Sequence, residues 1–224
     1  MRQDLQIAID GPAGVGKSTV GERLAKRLGY LYLDTGAMYR ALTWLALQRQ
    51  IDLEDETVLG PLAETFDLEI TLPTLTDGRQ YTVKVEGRDV TWQLRSPEVD
   101  HAVSLVSRHP AVRAAMRKRQ RALGERGGIV MAGRDIGTVV LPNAQLKVYL
   151  TASLEERARR RWLELRAKQD GVLTFEEVLA EVRRRDALDS GQSAPAPDAA
   201  MIHTDNLTIE QVIECILELA HERV

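Results

Sequence analysis

Residues 11–18 read Gly-Pro-Ala-Gly-Val-Gly-Lys-Ser and match the pattern G-x-x-x-x-G-K-[ST] in full. A backbone of this composition can curl around a phosphate so that successive N–H groups converge on it, and the following helix directs its positive dipole end at the same anion. The pattern predicts a nucleotide-binding loop in which Lys17 reaches the β- and γ-phosphates and the Ser18 hydroxyl is a ligand of Mg²⁺. Its members are Gly11, Pro12, Ala13, Gly14, Val15, Gly16, Lys17, Ser18 and Thr19.

The loop alone leaves the fate of the γ-phosphate open, because loops of this kind serve both hydrolysis and transfer to an acceptor. A GTPase should carry an N-K-x-D segment that reads guanine, and the sequence contains none. An ATPase motor should carry an acidic residue at the end of an apolar strand. The nearest candidate, Asp34, leads directly into the segment TGAMYR.

Two segments at predicted strand ends carry residues suited to a second phosphate. The segment DTGAMYR ends with Arg40 one turn into a predicted helix, where a guanidinium can grip a phosphate with two hydrogen bonds. The segment GRDIGTVVLP places Arg134 and Asp135 after another predicted strand. Ligands of open α/β sheets bind at the carboxyl ends of strands, so both segments indicate an acceptor site. For DTGAMYR alone, a packed Tyr39 and a solvated Arg40 are an equally good interpretation.

The elements that must position these residues alternate between short apolar runs and amphipathic helices, which predicts an α/β core with a parallel sheet. Ser153, Thr174 and Thr208 each begin a capping box and predict a helix start. We predict strands at Leu5–Ile9, Tyr30–Leu33, Ile129–Ala132, Lys147–Leu150 and Met201–Thr204, and helices at Ser18–Leu28, Ala37–Gln48, Asp55–Glu64, Ser153–Ala167 and Thr174–Leu188, with further helical pattern over Ser96–Arg126.

The pattern changes in the middle of the chain. Leu68–Leu72 and Gln80–Glu86 are extended patterns on either side of an Asp77-Gly78 turn signal. We predict a small antiparallel sheet at residues 66–102, inserted into a core formed by residues 1–65 and 103–224, with a short helical lid at about residues 157–173.

The composition is that of an ordinary globular protein. The 224 residues are 44% hydrophobic and 28% charged, with a formal net charge of −3, which gives no general reason to expect a polyanion or a membrane as partner. One cysteine allows no internal disulfide, and no segment reaches transmembrane length. The basic run Arg108–Arg126 lacks the interleaved aromatic residues of a single-strand binder. We expect a cytoplasmic monomer without a nucleic-acid or membrane partner.

With the segments DGPAGVGKST, LDTGAMYRA, GRDIGTVV, LDS and LTIEQV and the predicted insert, the chain resembles the bacterial cytidylate kinases, members of the nucleoside monophosphate kinase family of P-loop kinases. The resemblance covers essentially the whole chain. It implies a five-stranded parallel sheet flanked by helices, with the insert as the monophosphate-binding domain. It also implies transfer of the γ-phosphate of ATP to CMP or dCMP, with Mg²⁺.

The resemblance also implies roles for individual residues. Arg40 and Arg134 would hold the acceptor phosphate, and Ser104, Arg113 and Asp135 would read cytosine. A carboxylate that accepts from N4 of cytosine, beside an arginine that donates to its acceptors, has the right polarity for that base. The other substrate-binding residues are Thr35, Tyr39, Arg185 and Asp189.

An arginine-rich helical hairpin supplies candidates for the chemical step. Arg157 and Arg161 lie one turn apart on one helix face, and we favour them as lid contacts to the transferring phosphoryl group. A solvated charged face is the plainer interpretation of such arginines. The predicted catalytic set is Lys17, Arg134, Arg157 and Arg161.

The sequence departs from the family pattern at two positions. Ala132 stands where a carboxylate usually precedes GRD, and Gln192 stands where an arginine usually follows LDS. We expect either weaker affinity for CMP or compensation by another arginine. Two alternatives stay open: a P-loop kinase for UMP or dTMP, and a non-catalytic nucleotide-sensing or RNA-associated module.

Overall fold

The structure is a computed structural model, and it describes residues 5–167, 174–189 and 194–222. The last part of the predicted lid, residues 168–173, and the departure at Gln192 lie outside the described residues. The same holds for the side chains of Arg185 and Asp189, whose backbones belong to a helix.

The main sheet has five parallel strands in the order β2-β6-β1-β7-β8, with helices around it, which confirms the predicted fold class. None of the helices in the described ranges combines the length and apolar composition needed to cross a membrane. The strands are β1 (Gln6–Asp10), β2 (Leu31–Asp34), β3 (Leu68–Thr71), β4 (Thr82–Val85), β5 (Arg88–Asp89), β6 (Ile129–Ala132), β7 (Leu146–Thr151) and β8 (Ala200–His203). The α-helices are α1 (Lys17–Leu28), α2 (Gly36–Gln48), α3 (Glu56–Thr65), α4 (Pro97–Ser107), α5 (Pro110–Gly124), α6 (Leu154–Ala167), α7 (Phe175–Asp189) and α8 (Ile209–Glu222).

The chain divides at Leu24 and at Ile129 into two compact units. The first, which we call the loop unit, contains the chain before Ala25 and after Ile129, and the second, the middle unit, is Ala25–Ile129. In the loop unit β1 lies beside β7 with Ile7 opposite Leu146 and Asp10 opposite Tyr149. The predicted insert lies within the middle unit, and its boundaries at 66 and 102 stay a prediction.

The helical pattern predicted over Ser96–Arg126 is two helices, α4 and α5. Pro110 begins α5, and its ring disfavours helical backbone at the preceding residue. His109 accordingly has an extended conformation, with φ −68° and ψ 124°. The Ser96 hydroxyl accepts a hydrogen bond from the Val99 N–H at 3.5 Å and caps the start of α4.

Helices α6 and α7 form a hairpin with its own small apolar cluster of Ala158, Val178 and Val182. Trp162 packs edge-on against Phe175 at the periphery of this cluster, with ring centroids 6.3 Å apart. The predicted helix starts are confirmed, because the Thr174 hydroxyl accepts from the Glu177 N–H at 3.2 Å while the Glu177 carboxylate accepts from the Thr174 N–H at 2.8 Å. Thr208 makes the same reciprocal cap with Gln211. Ser153 makes half of it, because its hydroxyl accepts from the Glu156 N–H at 3.3 Å while its own N–H donates to Asp205 at 2.9 Å.

The antiparallel sheet of the middle unit consists of β3, β4 and the two-residue β5, which confirms the predicted insert architecture. So short a third strand supplies few backbone hydrogen bonds, and small sheets of this kind are marginal without other support. Arg79 supplies that support, since its side chain is 4% exposed and lies between two carboxylates. Its guanidinium donates to Asp77 at 2.7 and 2.8 Å and to Asp89 at 2.6 Å.

The positive charge of Arg79 stabilises the ionised forms of its two carboxylate partners, Asp77 and Asp89. Hydrogen bonding to Arg79 is the main cause of a pKa of about 2 for Asp89, with a contribution from Thr91. The same arginine, helped by the indole N–H of Trp92, holds the pKa of Asp77 well below its ordinary value. Carboxylates with depressed pKa values stabilise the fold above the unfolded-state pKa near 3.8, and that contribution is lost as the pH falls.

We therefore expect Arg79→Met to lower the melting temperature at pH 7, because it leaves Asp77 and Asp89 without their shared cation. The difference from the parent protein should shrink as the pH falls from about 4 towards 2, the window set by the two depressed pKa values. Thermal unfolding followed by circular dichroism at several pH values measures this. Arg49→Met, which breaks an exposed pair with Glu86, is the control and should change little at any pH. A constant difference between pH 7 and pH 3 would contradict the assignment.

Candidate active site

The phosphate loop joins β1 to α1 and begins at Gly11, which has a φ of +147°. A Cβ atom at this position would lie 2.2 Å from the carbonyl oxygen of Leu150 in β7, so no residue other than glycine fits without moving the backbone. At the other end of the loop the Val20 N–H donates to the Gly16 carbonyl at 3.0 Å, which starts the helical ladder of α1. The loop thus runs from a buried strand into a helix N-terminus, the arrangement that binds phosphate.

The ammonium group of Lys17 lies within the loop that it follows. It donates to the carbonyl oxygens of Gly11 and Pro12, each at 2.7 Å. Ser18 is exposed in the first turn of α1. Among the described residues no group of three or more His, Cys, Asp and Glu side chains could hold a metal ion. An Mg²⁺ ion therefore fits here as an ion held by nucleotide phosphates, water and the Ser18 hydroxyl, a coordination that Mg²⁺ favours.

Arg157 in α6 is buried, with a side chain 7% exposed, and supports the phosphate loop from outside. Its Nη1 donates to the Ala13 carbonyl at 3.1 Å, and its Nε donates to the Ala152 carbonyl at 3.2 Å. Asp186 in α7 accepts from both terminal nitrogens, at 2.9 and 2.7 Å. Arg157, which was predicted as a lid contact, thus connects helices α6 and α7 to the phosphate loop.

The other arginines of α6 differ in position. Arg161 makes a surface pair with Glu164 at 2.9 Å, with the arginine side chain 40% exposed. Arg160, which the sequence did not single out as a site residue, donates to the Thr204 hydroxyl at 3.0 Å and to the Val15 carbonyl at 3.4 Å. Two arginines of α6, Arg157 and Arg160, therefore contact carbonyls of the loop.

The segment that carries Arg134 and Asp135 follows β6 and leads into a π-helical turn over Ile136–Val140. Sequence reasoning predicted a strand-end loop here, and the structure adds the turn, which closes with the Val140 N–H donating to the Asp135 carbonyl at 3.1 Å. The carboxylate of Asp10 accepts from the two N–H groups that begin this turn, those of Ile136 at 2.8 Å and Gly137 at 2.7 Å. Burial is the main cause of a raised pKa of Asp10.

In the middle unit Thr35, Tyr39 and Arg40 lie at the start of α2, directly after β2. The Asp34 carboxylate accepts from the Gly36 N–H at 3.0 Å and fixes the junction. Arg40 uses one nitrogen, Nη1, for its hydrogen bonds in the described ranges: it donates to the Leu94 carbonyl at 3.1 Å and pairs with the carboxylate of Asp100 in α4.

Two further parts of the middle unit bear on the predicted acceptor site. Ser104 is exposed on α4, and Arg113 is half-buried on α5, the helix that follows. Tyr81 is buried, and burial together with the negative charge of Asp34 raises its pKa to about 12. Its phenol is therefore neutral at physiological pH, and it hydrogen-bonds Arg95.

Sequence reasoning missed three carboxylates that hold site residues. Asp10 contacts a turn 126 residues later, Asp186 pairs with Arg157 from the returning helix, and Asp100 pairs with Arg40 across 60 residues. No spacing rule connects such pairs. The only local signal was the position of Asp10 at a strand end, directly before the glycine loop.

A family model described as cytidylate kinase matches residues 7–222. A cytidylate kinase from Roseiflexus castenholzii (strain DSM 13941 / HLO8) is 52% identical over 218 residues, which are 97% of this chain and 94% of that protein. One from Bacillus subtilis (strain 168) is 47% identical over 227 residues, 100% of this chain and 99% of the relative. A bifunctional pantoate ligase/cytidylate kinase from Synechococcus sp. (strain WH7803) is 50% identical over 97% of this chain and 45% of its own length.

The pair between Arg157 and Asp186 yields a prediction about stability. Asp186→Asn should lower the free energy of unfolding by roughly 1–3 kcal/mol, because a buried guanidinium loses its charged partner. For a chain of this size that is a fall in melting temperature of about 2–10 °C. Glu181→Gln, which breaks an exposed pair with Arg184 on the same helix, should change it by about 0.5 kcal/mol or less. Equal effects of the two variants in urea unfolding would contradict the anchoring role.

Proposed function

This chain belongs to the cytidylate kinase family, and we propose that it transfers the γ-phosphoryl group of ATP to CMP or dCMP through the side chains described above. The observation that carries the proposal is the family match over residues 7–222, which includes a complete phosphate loop. The products are ADP and CDP or dCDP. The single cysteine and the near-balanced charge support a monomer in the cytoplasm that needs no nucleic-acid or membrane partner.

The donor is bound by residues 11–19. The backbone N–H groups of the loop and the start of α1 bind the ATP phosphates, and Lys17 exchanges its contacts with the Gly11 and Pro12 carbonyls for contacts with the β- and γ-phosphates. Ser18 supplies a hydroxyl ligand to Mg²⁺, which neutralises charge on the phosphates when bound.

The acceptor roles are those that the family resemblance implies. Arg40 and Arg134 bind the acceptor phosphate, with Thr35 and Tyr39 beside Arg40 at the start of α2. Asp135 accepts a hydrogen bond from N4 of cytosine, while Arg113 and Ser104 contact the acceptor atoms of the base. The resemblance assigns Arg185 and Asp189 to the ribose and phosphates.

The transfer itself needs positioning and cationic groups around the moving phosphoryl, with no covalent intermediate on the protein. Lys17 and Arg134 supply two such cations, and Arg157 and Arg161 supply two more. Arg157 also donates to Asp186 and to the Ala13 carbonyl, so its contact with the phosphoryl group requires it to exchange one of these partners.

The proposed function predicts that, among CMP, dCMP, UMP and dTMP, ATP and Mg²⁺ give the fastest transfer to CMP or dCMP. Uracil presents an oxygen where cytosine presents the N4 amino group, and it therefore faces the Asp135 carboxylate unfavourably. Lys17→Ala should lower kcat/KM at least about a hundredfold, because a preorganised charge contact is lost in the transition state. Lys26→Ala, exposed at the far end of the same helix, is the control.

A coupled assay of ADP release with each acceptor measures both effects. Faster transfer to UMP or dTMP than to CMP or dCMP would contradict the proposed acceptor. If no acceptor stimulated ADP release, or if Lys17→Ala retained full activity, a nucleotide-sensing or RNA-associated role would fit better.

The pair between Arg40 and Asp100 predicts that replacing Asp100 increases the affinity for CMP. The acceptor phosphate must share Arg40 with a carboxylate of like charge, and Asp100 is half exposed, so the phosphate can compete for the arginine. Asp100→Asn should lower the KM for CMP about 1.5- to fivefold and leave kcat nearly unchanged, the range expected for an exposed ion pair. Glu64→Gln, an exposed charge removed elsewhere in the middle unit, should leave the KM for CMP unchanged. An unchanged or higher KM in Asp100→Asn would contradict this role.

A further inference from the structure

Among the described residues of the loop unit, the most deeply buried carboxylate belongs to Asp10, the last residue of β1, which is 4% exposed and directly precedes the phosphate loop. Each of its oxygens accepts one backbone hydrogen bond, Oδ1 from Ile136 at 2.8 Å and Oδ2 from Gly137 at 2.7 Å. The first N–H groups of a helical turn have no partner within the turn. Asp10 satisfies two of them at the turn over Ile136–Val140.

The residues directly before that turn are held from both sides. The Gly133 N–H donates to the carbonyl of Ile9 at 3.1 Å, and Asp10 holds the chain again at Ile136. Arg134 and Asp135 therefore lie between two anchor points, and both anchors are consecutive residues of β1.

We propose that Asp10 is a positioning residue for the acceptor: it holds Arg134 and Asp135 in a fixed place relative to the phosphate loop that begins at the next residue. The proposal rests on the acceptor roles given to Arg134 and Asp135 above. The donor loop continues directly from the end of β1, and the acceptor-binding segment is hydrogen-bonded to the same strand end through the Ile9 carbonyl and the Asp10 side chain.

The energetics of the site fit a functional carboxylate better than a purely structural one. Burial raises the pKa of Asp10, and the nearby negative charge of Asp135 raises it further, while the two N–H donors and Lys17 act in the opposite direction. A buried charge facing another charge of the same sign is an expensive way to cap a turn, since apolar packing can replace buried ionic groups at little cost. The contact is also tight, because a Cβ atom at Gly137 would lie 3.3 Å from Oδ2 of Asp10.

Asp10→Asn tests the proposal in the full chain. An amide keeps one oxygen acceptor and turns an NH₂ group towards the other N–H, so one of the two bonds is lost. We expect the KM for CMP to rise between about five- and a hundredfold, the fold-change that corresponds to one unsatisfied buried donor. The KM for ATP should change less than about twofold, because the loop's own contacts with phosphate remain.

The control variant is Val148→Ala, which removes buried volume from β7 opposite Ile9 and touches neither substrate segment. It should lower the melting temperature and leave the KM for CMP within twofold. If Asp10 served stability alone, Asp10→Asn would likewise lower the melting temperature and leave the KM for CMP within twofold. Equal rises in the KM values for CMP and ATP, or an unchanged KM for CMP, would overturn the proposal.

Gly137→Ala provides a second route if Asp10→Asn folds poorly. The added methyl group crowds Oδ2 of Asp10 and the Lys147 side chain without altering any charge, so it disturbs the same hydrogen bond from the other side. It should raise the KM for CMP, and its effect should not multiply with that of Asp10→Asn, because both act on one contact. Multiplicative effects would mean that Gly137 acts independently of Asp10 and would overturn the coupling.

Arg134→Lys separates this proposal from the function on which it rests. If Arg134→Lys raises the KM for CMP and Asp10→Asn does not, the acceptor role of Arg134 survives and the positioning role of Asp10 fails. If Arg134→Lys leaves the KM for CMP unchanged, both fail together.

Discussion

At Gly11 the chain leaves β1 so close to β7 that a Cβ atom would lie 2.2 Å from the carbonyl oxygen of Leu150. The close approach lets a buried strand turn at once into the phosphate loop, without an intervening linker that could move. Three side chains of the loop unit lie close to this point or contact the loop that starts there. Asp10 lies immediately before it, Lys17 bonds back to its carbonyl at 2.7 Å, and Arg157 reaches the Ala13 carbonyl two residues further on.

The side chains around the loop hold its backbone in the shape that a phosphate requires before any phosphate arrives. Carbonyl oxygens of the loop accept hydrogen bonds from Lys17 of α1 and from Arg157 and Arg160 of α6, which fixes the loop backbone at several points. Such preorganisation lowers the reorganisation needed when charge shifts during phosphoryl transfer. In the middle unit the start of α2 is organised in a similar way, since Arg40 is held by a carbonyl and a carboxylate rather than left to sample solvent.

Much of this could be predicted from the sequence where the cause is local. The glycine loop, the capping boxes at Thr174 and Thr208 and the antiparallel pair of β3 and β4 each depend on residues close together in the sequence, and the structure has them as predicted. The break between α4 and α5 also has a local cause, since Pro110 begins α5. The boundary was missed because the helical period continues on both sides of this proline. The strand-end positions of Arg40, Arg134 and Asp135 indicated an acceptor site, and the family resemblance added Ser104 and Arg113, which no local rule could supply.

The rest depended on contacts between distant parts of the chain. Arg157 and Arg161 were predicted to share one face of α6, yet one arginine is buried against Asp186 and the other is exposed beside Glu164. The helical period shows which side chains share a face of a helix. It does not show which other part of the protein packs on each turn of that face. For the same reason the role of Asp10 was hidden: its partners are backbone N–H groups, which leave no trace in residue types.

The apolar cluster between α6 and α7 has a kinetic consequence. The cluster has three buried residues with partly buried neighbours, and we expect such a satellite cluster to open at a lower free energy than the core around the main sheet. Arg157 belongs to that hairpin and also holds the Ala13 carbonyl. Each local opening therefore withdraws a cation from the phosphate loop, and the lifetime of the loop's preorganised shape is tied to the lifetime of the hairpin.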